Sequence, residues 1–247
     1  METNIIYNEN CLETTKRLKD KSIDLVVTSP PYNLNLRVRN GEYCSRQIVK
    51  HEFATKYDTM DDNLPMDEFY KLHSEILREL IRVSNVVFYN IQIVTGSKVA
   101  FFKIMGEFAE ELKEMIIWDK VNSQPAMKDR TFNSQFELIL VFGDTPITRQ
   151  FSKCNFNRGT MPNVWQIKRG KNGVKGHGAV FPEELIAKII TNFTNENDIV
   201  YDPFMGTGTT AAVALKTNRR FIGSEISEKY CAIIEERINP LMNNLFS

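Results

Sequence analysis

The chain of 247 residues is short of several things, and each shortage closes off a class of protein. Its four cysteines (Cys11, Cys44, Cys154, Cys231) stand far apart with no Cys-x-x-Cys pair. That argues against a thiolate zinc site and a disulfide framework, and points to a reducing compartment. Its three histidines (His51, His73, His177) show no metal-ligand spacing, so no metal is expected. No hydrophobic run is long: the uncharged stretch from Val83 to Ser97 is too short for a bilayer and is broken by Asn85, Asn90 and Gln92. The opening Met1-Glu2-Thr3-Asn4 has neither a basic nor an apolar leader region, so the expected location is the cytoplasm, with no membrane partner. Net charge is absent too, with 31 Lys and Arg against 31 Asp and Glu. A uniformly basic nucleic-acid coat is thereby excluded, but a locally polarised surface is not.

What remains is ordinary globular composition, 42% hydrophobic and 25% charged, of a size for one compact unit over residues 1–247. Short β-branched runs predict strands at Ser22–Thr28, Val86–Asn90, Met115–Trp118, Phe136–Phe142, Asp198–Tyr201 and Arg220–Ser224, with a weaker one at Asn4–Tyr7. Such near-continuous apolar runs suit strands covered on both faces. Helical patterns lie between them at Leu12–Lys19, Met66–Arg82, Ser97–Lys113, Pro182–Phe193, Thr209–Lys216 and Ser227–Ile238. The alternation predicts an α/β sheet with right-handed crossovers. Asp119-Lys120 reads as a surface turn, His73 as structural, and Phe101, Phe102, Ile104 and Phe108 as core.

Two segments, 33–64 and 143–178, break the alternation, and loops of that length are usually lids or binding loops. Both are basic. The first carries Arg37, Arg39, Arg46, Lys50 and Lys56. The second runs from Arg149 to Lys175 with Arg149, Lys153, Arg158, Lys168, Arg169, Lys171 and Lys175 and no acid, interleaved with Phe151, Phe156 and Trp165. One reading is a pair of solvated loops; the other is a phosphate-tracking surface with aromatic contacts.

Chemistry concentrates in two motifs. Asp202-Pro203-Phe204-Met205-Gly206-Thr207-Gly208-Thr209-Thr210 follows one predicted strand and opens a helix. Its glycines let the backbone approach a ligand. The next strand ends at Glu225, where a carboxylate can accept both ribose hydroxyls of a nucleoside. Gly206-x-Gly208-x-x-Ala211 with Glu225 downstream also matches a dinucleotide fingerprint. Asp202 at the mouth of the turn would repel a pyrophosphate and attract a positive amino-acid head, which favours S-adenosylmethionine. The second motif, Thr28-Ser29-Pro30-Pro31-Tyr32, ends the strand Ser22–Thr28. Two prolines hold the segment extended and remove two donors; Ser29 adds a hydroxyl and Tyr32 a flat face with a polar tip. If their strands are central neighbours, the two motifs share one cleft at the carboxyl edge of the sheet.

With these residues the chain resembles the amino-methyltransferases of DNA, which methylate the exocyclic amine of cytosine (N4) or adenine (N6). Ser29-Pro30-Pro31-Tyr32 is similar to the family's catalytic tetrapeptide and Asp202-Pro203-Phe204-x-Gly206-x-Gly208-Thr209 to its cofactor loop. Catalytic motif first and cofactor loop last resembles the permuted β group, as do Val164-Trp165-Gln166-Ile167 and His177-Gly178-Ala179-Val180-Phe181-Pro182-Glu183-Glu184-Leu185. The resemblance implies a Rossmann-like, S-adenosylmethionine-dependent methyltransferase sheet flanked by helices, with permuted motif order and small inserted DNA-recognition loops. It implies catalytic Ser29, Pro30, Pro31 and Tyr32. It also implies a cofactor set of Asn10 (where the family often has an acid), Asp202, Pro203, Phe204, Gly206, Gly208, Thr209, Thr210, Glu225, Ile226, Phe181 and Pro182. Ser29, in place of the Asp or Asn usual in adenine enzymes, points to cytosine N4.

The implied substrate is double-stranded DNA, with a homodimer and a cognate restriction endonuclease as further partners. The expected DNA-binding residues are Arg37, Arg39, Arg46, Lys50, Lys56, Arg158, Lys168, Arg169, Lys171 and Lys175. On this reading the target base is flipped out, its amine hydrogens are accepted by the Ser29 hydroxyl and the Pro30 carbonyl, and Tyr32 stacks on its ring. Methylation at cytosine C5 needs a thiolate, commonly after proline, and no Pro-Cys dipeptide occurs. The alternatives are an N6-adenine enzyme and a DNA-binding module that keeps the fold without catalysis.

Overall fold

The computed structural model describes residues 1–34, 63–125, 129–143, 148–170 and 181–243, with the backbone alone of 36–39 and 42–45. In chain order the elements are β1 Ile5–Tyr7, α1 Cys11–Arg17, β2 Leu25–Thr28, β3 Leu36–Arg39, β4 Glu42–Ser45, α2 Met66–Val83, β5 Val86–Ile91 and α3 Lys98–Glu107. There follow β6 Leu112–Gln124, β7 Ser134–Gly143, β8 Val164–Gln166, α4 Glu183–Phe193, β9 Ile199–Asp202, α5 Thr209–Lys216, β10 Arg220–Ser224 and α6 Glu228–Asn243.

Eight strands form one sheet in the order β1-β10-β9-β2-β5-β7-β6-β8. Neighbours are parallel except β7, which runs against both β5 and β6. From β2 the chain moves outward to β5, and from β9 it moves the other way to β10. The sheet therefore changes direction between β2 and β9, where an open α/β sheet leaves a crevice. Alternation along the strands sends Leu25, Val27 and Phe88 to one face under α4, α5 and α6. Val26, Val87 and Tyr89 go to the other, under α1, α2 and α3. A hairpin of β3 and β4 stands apart as a second sheet, with Arg37 opposite Cys44 and Arg39 opposite Glu42.

Several boundaries differ from expectation. The helix drawn through Lys113 stops at Glu107, and β6 starts at Leu112 and runs far past Trp118. The expectation that strands are covered on both faces fails at the far edge, where Met115, Ile117, Phe136 and Val164 are exposed. Phe101, Ile104 and Phe108 are core as expected, but Phe102 faces out. His73 is buried against Phe69 and Phe101, with Nδ1 2.5 Å from the Tyr89 hydroxyl, which bears out a structural histidine. Among the described residues, no helix is long and apolar enough to cross a membrane and no acid, histidine and cysteine cluster could hold a metal.

Candidate active site

The two motifs meet. β2 and β9 are parallel neighbours, with Leu25 beside Val200 and Val26 beside Tyr201. At their carboxyl ends the Thr28 hydroxyl donates to Asp202 Oδ1 at 2.7 Å. Ser29-Pro30-Pro31-Tyr32 and the glycine turn thus leave the sheet side by side, although 174 residues separate the bonded pair. Asn33 turns the chain away with φ 57°, a conformation that asparagine tolerates. Its amide donates to Leu64 O and to Gly96 O, both at 2.9 Å, which ties the corner to the far end of the 33–64 segment.

Around the glycine turn the backbone is held from several sides. Gly206 and Gly208 have φ 55° and 78°. A Cβ on Gly208 would lie 2.7 Å from Ile234 Cγ2, so glycine is what lets α6 close over the start of α5. The Asp202 carboxylate is buried and accepts from the Thr210 hydroxyl (2.6 Å) and the Phe204 amide (3.1 Å) as well as from Thr28. Burial pushes it up to about 6, against the pull of those three donors. Asp202 therefore faces inward as a clamp between strand, turn and helix, not outward as a free counter-charge for a ligand. Thr209 is also turned inward, its hydroxyl accepting from Arg237 at 3.1 Å. Glu225, at the end of β10, accepts from Gly206 N (2.8 Å) and Ser227 N (2.9 Å). Burial raises its pKa, with a smaller push from Asp202. Asn10 caps α1 by accepting from Leu12 N, next to β10 through the β1 pairing. Phe204, Ile226 and Phe181 are half-buried, and Pro203 and Pro182 are buried.

On the other side of the corner lies a polar row that sequence reading missed. Tyr32 is buried, and its hydroxyl is 2.5 Å from Ser29 Oγ, accepts from Asn90 Nδ2 at 2.5 Å and donates to Glu137 Oε2 at 3.3 Å. Asn90 also donates to Glu137 Oε2 at 2.7 Å. Lys120 Nζ donates to Glu137 Oε1 at 3.0 Å, and Arg169 stands 3.9 Å from the same oxygen. Lys120 is thus a buried group of β6 and not part of a surface turn. Burial lowers its pKa while Glu137 pulls it back up. The neighbouring Asp119 also lies within β6 and not in a turn, its carboxylate accepting from Gln135 and Gln166.

The basic segment 143–178 is split by the fold. Arg149 pairs with Glu114, and Lys153 with Asp198 and Asp24 (3.7 Å to the latter), so part of its charge is met by acids from elsewhere in the chain. Phe151 and Phe156 pack on Phe193, and Trp165 is buried, so these aromatics are core and not a nucleic-acid contact. Asp24 and Asp198 precede β2 and β9, which places this stretch at the amino edge of the sheet. Arg158, exposed two residues beyond Phe156, is therefore not brought to the cleft. β8 then carries the chain across, and Lys168 and Arg169 emerge at the carboxyl edge beside the polar row. Arg37 and Arg39 lie on β3, of which only the backbone is described. Arg46, Lys50, Lys56, Lys171 and Lys175, together with His51 and His177, lie outside the described residues.

Comparison with known proteins agrees with this layout. The family model for DNA methylase, the N6 and N4 methyltransferases, matches residues 23–236. The orphan methyltransferase M.BamHII of Bacillus amyloliquefaciens is 45% identical, the match covering 90% of this chain and 91% of that one. Among solved structures, the cytosine-N4-specific PvuII DNA methyltransferase superposes with a TM-score of 0.70 at 19% identity, over 99% of this chain and 93% of its own. The M1.HpyAVI–SAM complex does so with 0.64 at 23% identity, over 95% and 98%.

Proposed function

Because the chain belongs to the DNA methylase family of N6 and N4 methyltransferases, we propose that it is a DNA methyltransferase of restriction–modification type. In this reading it moves a methyl group from S-adenosylmethionine to the exocyclic N4 amine of cytosine in double-stranded DNA. The observation that carries the reading is the Thr28–Asp202 hydrogen bond, which sets the serine-diproline-tyrosine corner and the glycine turn at one mouth of the sheet.

The donor set on the cofactor side suits this nucleoside better than a dinucleotide. Glu225 lies at the turn, where a pyrophosphate would meet like charge. The Glu225 oxygens accept backbone N–H groups, Gly206 on one and Ser227 on the other, and a carboxylate's remaining lone pairs can take ribose hydroxyls. Asn10, Phe204, Ile226, Phe181 and Pro182 would bound the adenine, and Pro203, Gly206, Gly208, Thr209 and Thr210 shape the turn below the amino-acid portion. When bound, S-adenosylmethionine supplies a methyl group on cationic sulfur, open to direct displacement.

On the DNA side, an exocyclic amine is a poor nucleophile because its lone pair is delocalised into the ring. Ser29 Oγ and the Pro30 carbonyl accept its two hydrogens and draw the nitrogen toward tetrahedral geometry. Tyr32 holds the plane of the flipped base, and alignment supplies much of the rate. Ser29, where adenine-directed relatives usually carry Asp or Asn, supports cytosine. Lys168 and Arg169 at the carboxyl edge, with Arg37 and Arg39 on β3, provide the phosphate contacts.

The test is methylation of plasmid DNA with labelled donor, followed by nucleoside analysis. N4-methylcytosine is expected. N6-methyladenine would reassign the base, and DNA binding without any methyl transfer would replace the enzyme with a binding module.

A further inference from the structure

We propose that Glu137 is a positioning residue of the transfer site. It sets the direction of a hydrogen-bond relay that keeps the Ser29 oxygen an acceptor toward the target amine, and it takes up the proton that the methylated nitrogen releases. This rests on the reading of Ser29 given above. Five strands that follow one another across the sheet, β2, β5, β7, β6 and β8, bring Ser29, Asn90, Glu137, Lys120 and Arg169 into one row toward the carboxyl edge of the parallel strands, Glu137 from the amino-terminal part of the antiparallel β7.

The direction follows from counting hydrogens. A carboxylate only accepts. Glu137 Oε2 takes the single Tyr32 hydroxyl hydrogen and one Asn90 amide hydrogen, and Oε1 takes the Lys120 ammonium. With its hydrogen committed, the Tyr32 oxygen is an acceptor, and Ser29, 2.5 Å away, donates into it. Ser29 has one hydrogen, now directed into the protein, so its oxygen meets an incoming amine with lone pairs. A protonated Glu137 would donate to Tyr32 and reverse the chain, and Ser29 would present a hydrogen to another hydrogen.

The same relay balances the reaction. As the amine nitrogen forms its bond to the methyl carbon and the sulfur–carbon bond breaks, the nitrogen becomes cationic. It loses a proton to Ser29 Oγ, the Ser29 hydrogen moves to Tyr32, and the Tyr32 hydrogen moves to Glu137. The nitrogen ends neutral and Glu137 ends as the acid, which returns its proton to solvent.

A buried ion pair adds little stability over apolar residues of the same volume, so the Lys120–Glu137 pair has another use here. Among the described residues, the charged and titratable groups facing Glu137 are Lys120 from β6, Arg169 from beyond β8 and Tyr32 from the corner after β2; Asn90 of β5 is neutral.

The experiment is single-turnover methylation of duplex DNA with wild type, Glu137→Gln, Glu137→Asp, the double variant Lys120→Met/Glu137→Gln, and Ser29→Ala. Glu137→Gln is expected to lower the rate about a hundredfold while KM for DNA and Kd for the donor change by less than about threefold. Glu137→Asp, which keeps a carboxylate in the row, restores part of the rate. The double variant leaves no buried charge unpaired and gives the same readout should Glu137→Gln fail to fold. Wild-type rate in either glutamine variant overturns the proposal. If Ser29→Ala keeps full activity, the underlying reading of Ser29 fails; if Ser29→Ala is inactive while Glu137→Gln matches wild type, the relay alone fails.

Discussion

Asp202 carries a charge at neutral pH in a place that water does not reach, and its three donors only partly compensate for that. Its folded-state pKa of about 6 lies above the ordinary 3.8, so between those values the folded chain holds the proton more tightly than the unfolded one. The stability from this group is complete below about pH 4 and is lost as pH rises through about 6. Asp202→Asn, permanently neutral, removes that slope. Between about pH 7.5 and about pH 4, wild type should gain up to about 3 kcal/mol relative to the variant, read from urea unfolding at each pH. Parallel curves would contradict the placement. His73 works in the opposite sense: burial pushes it down to about 3, so its share is complete above its ordinary value and lost as pH falls, which is why the variant is compared at every pH. At this scale the sequence was legible where chemistry is local. The Ser29–Tyr32 corner and the glycine turn declared themselves through proline and glycine. The inward aim of Asp202 did not, because its three partners come from β2, α5 and the turn.

Among elements, the end of α4 governs how the second basic segment behaves. Phe193 meets Phe88, Phe151 and Phe156 with ring centres 4.7, 5.0 and 5.5 Å away, and Asn155 adds bonds to Thr191 O (3.0 Å) and Thr194 O (2.8 Å). A stretch that reads as a solvated basic loop is thus stitched to the core by its aromatics. Phe193→Ala should cost about 3–5 kcal/mol in urea unfolding, and trypsin should then cleave faster at Arg149 and Arg158. A loss within about 1 kcal/mol and unchanged cleavage would show that the segment is held otherwise. The strand β6 teaches the same lesson from the other side. Its apolar run ends at Trp118, so Asp119-Lys120 reads as a turn, yet pairing with β7 carries the strand on and buries Lys120 against Glu137. Charge in a strand is unreadable until its cross-strand partner is known.

For the molecule as a whole, charge is sorted by which edge of the sheet a residue reaches. Lys168 follows β8 at the edge that holds the cleft, whereas Arg158 precedes β8 at the opposite edge. Lys168→Ala should therefore weaken DNA binding and reduce the slope of log K against log salt by about 0.9, the loss of one phosphate contact. Arg158→Ala should leave slope and affinity as in wild type. Titrations of binding against salt check both, and equal effects would mean that the amino edge also meets DNA. The sequence by itself determined the kinds of element, their order and the two turns that bear chemistry, because helix and strand periods, proline's fixed φ and glycine's positive φ are properties of neighbouring residues. The tertiary structure alone decided that Ser29, Asn90, Glu137, Lys120 and Arg169 stand in one row and that Arg149 and Lys153 are neutralised far from it. Strand order is not written in any local stretch, and what a polar group can do depends on which strand lies beside it.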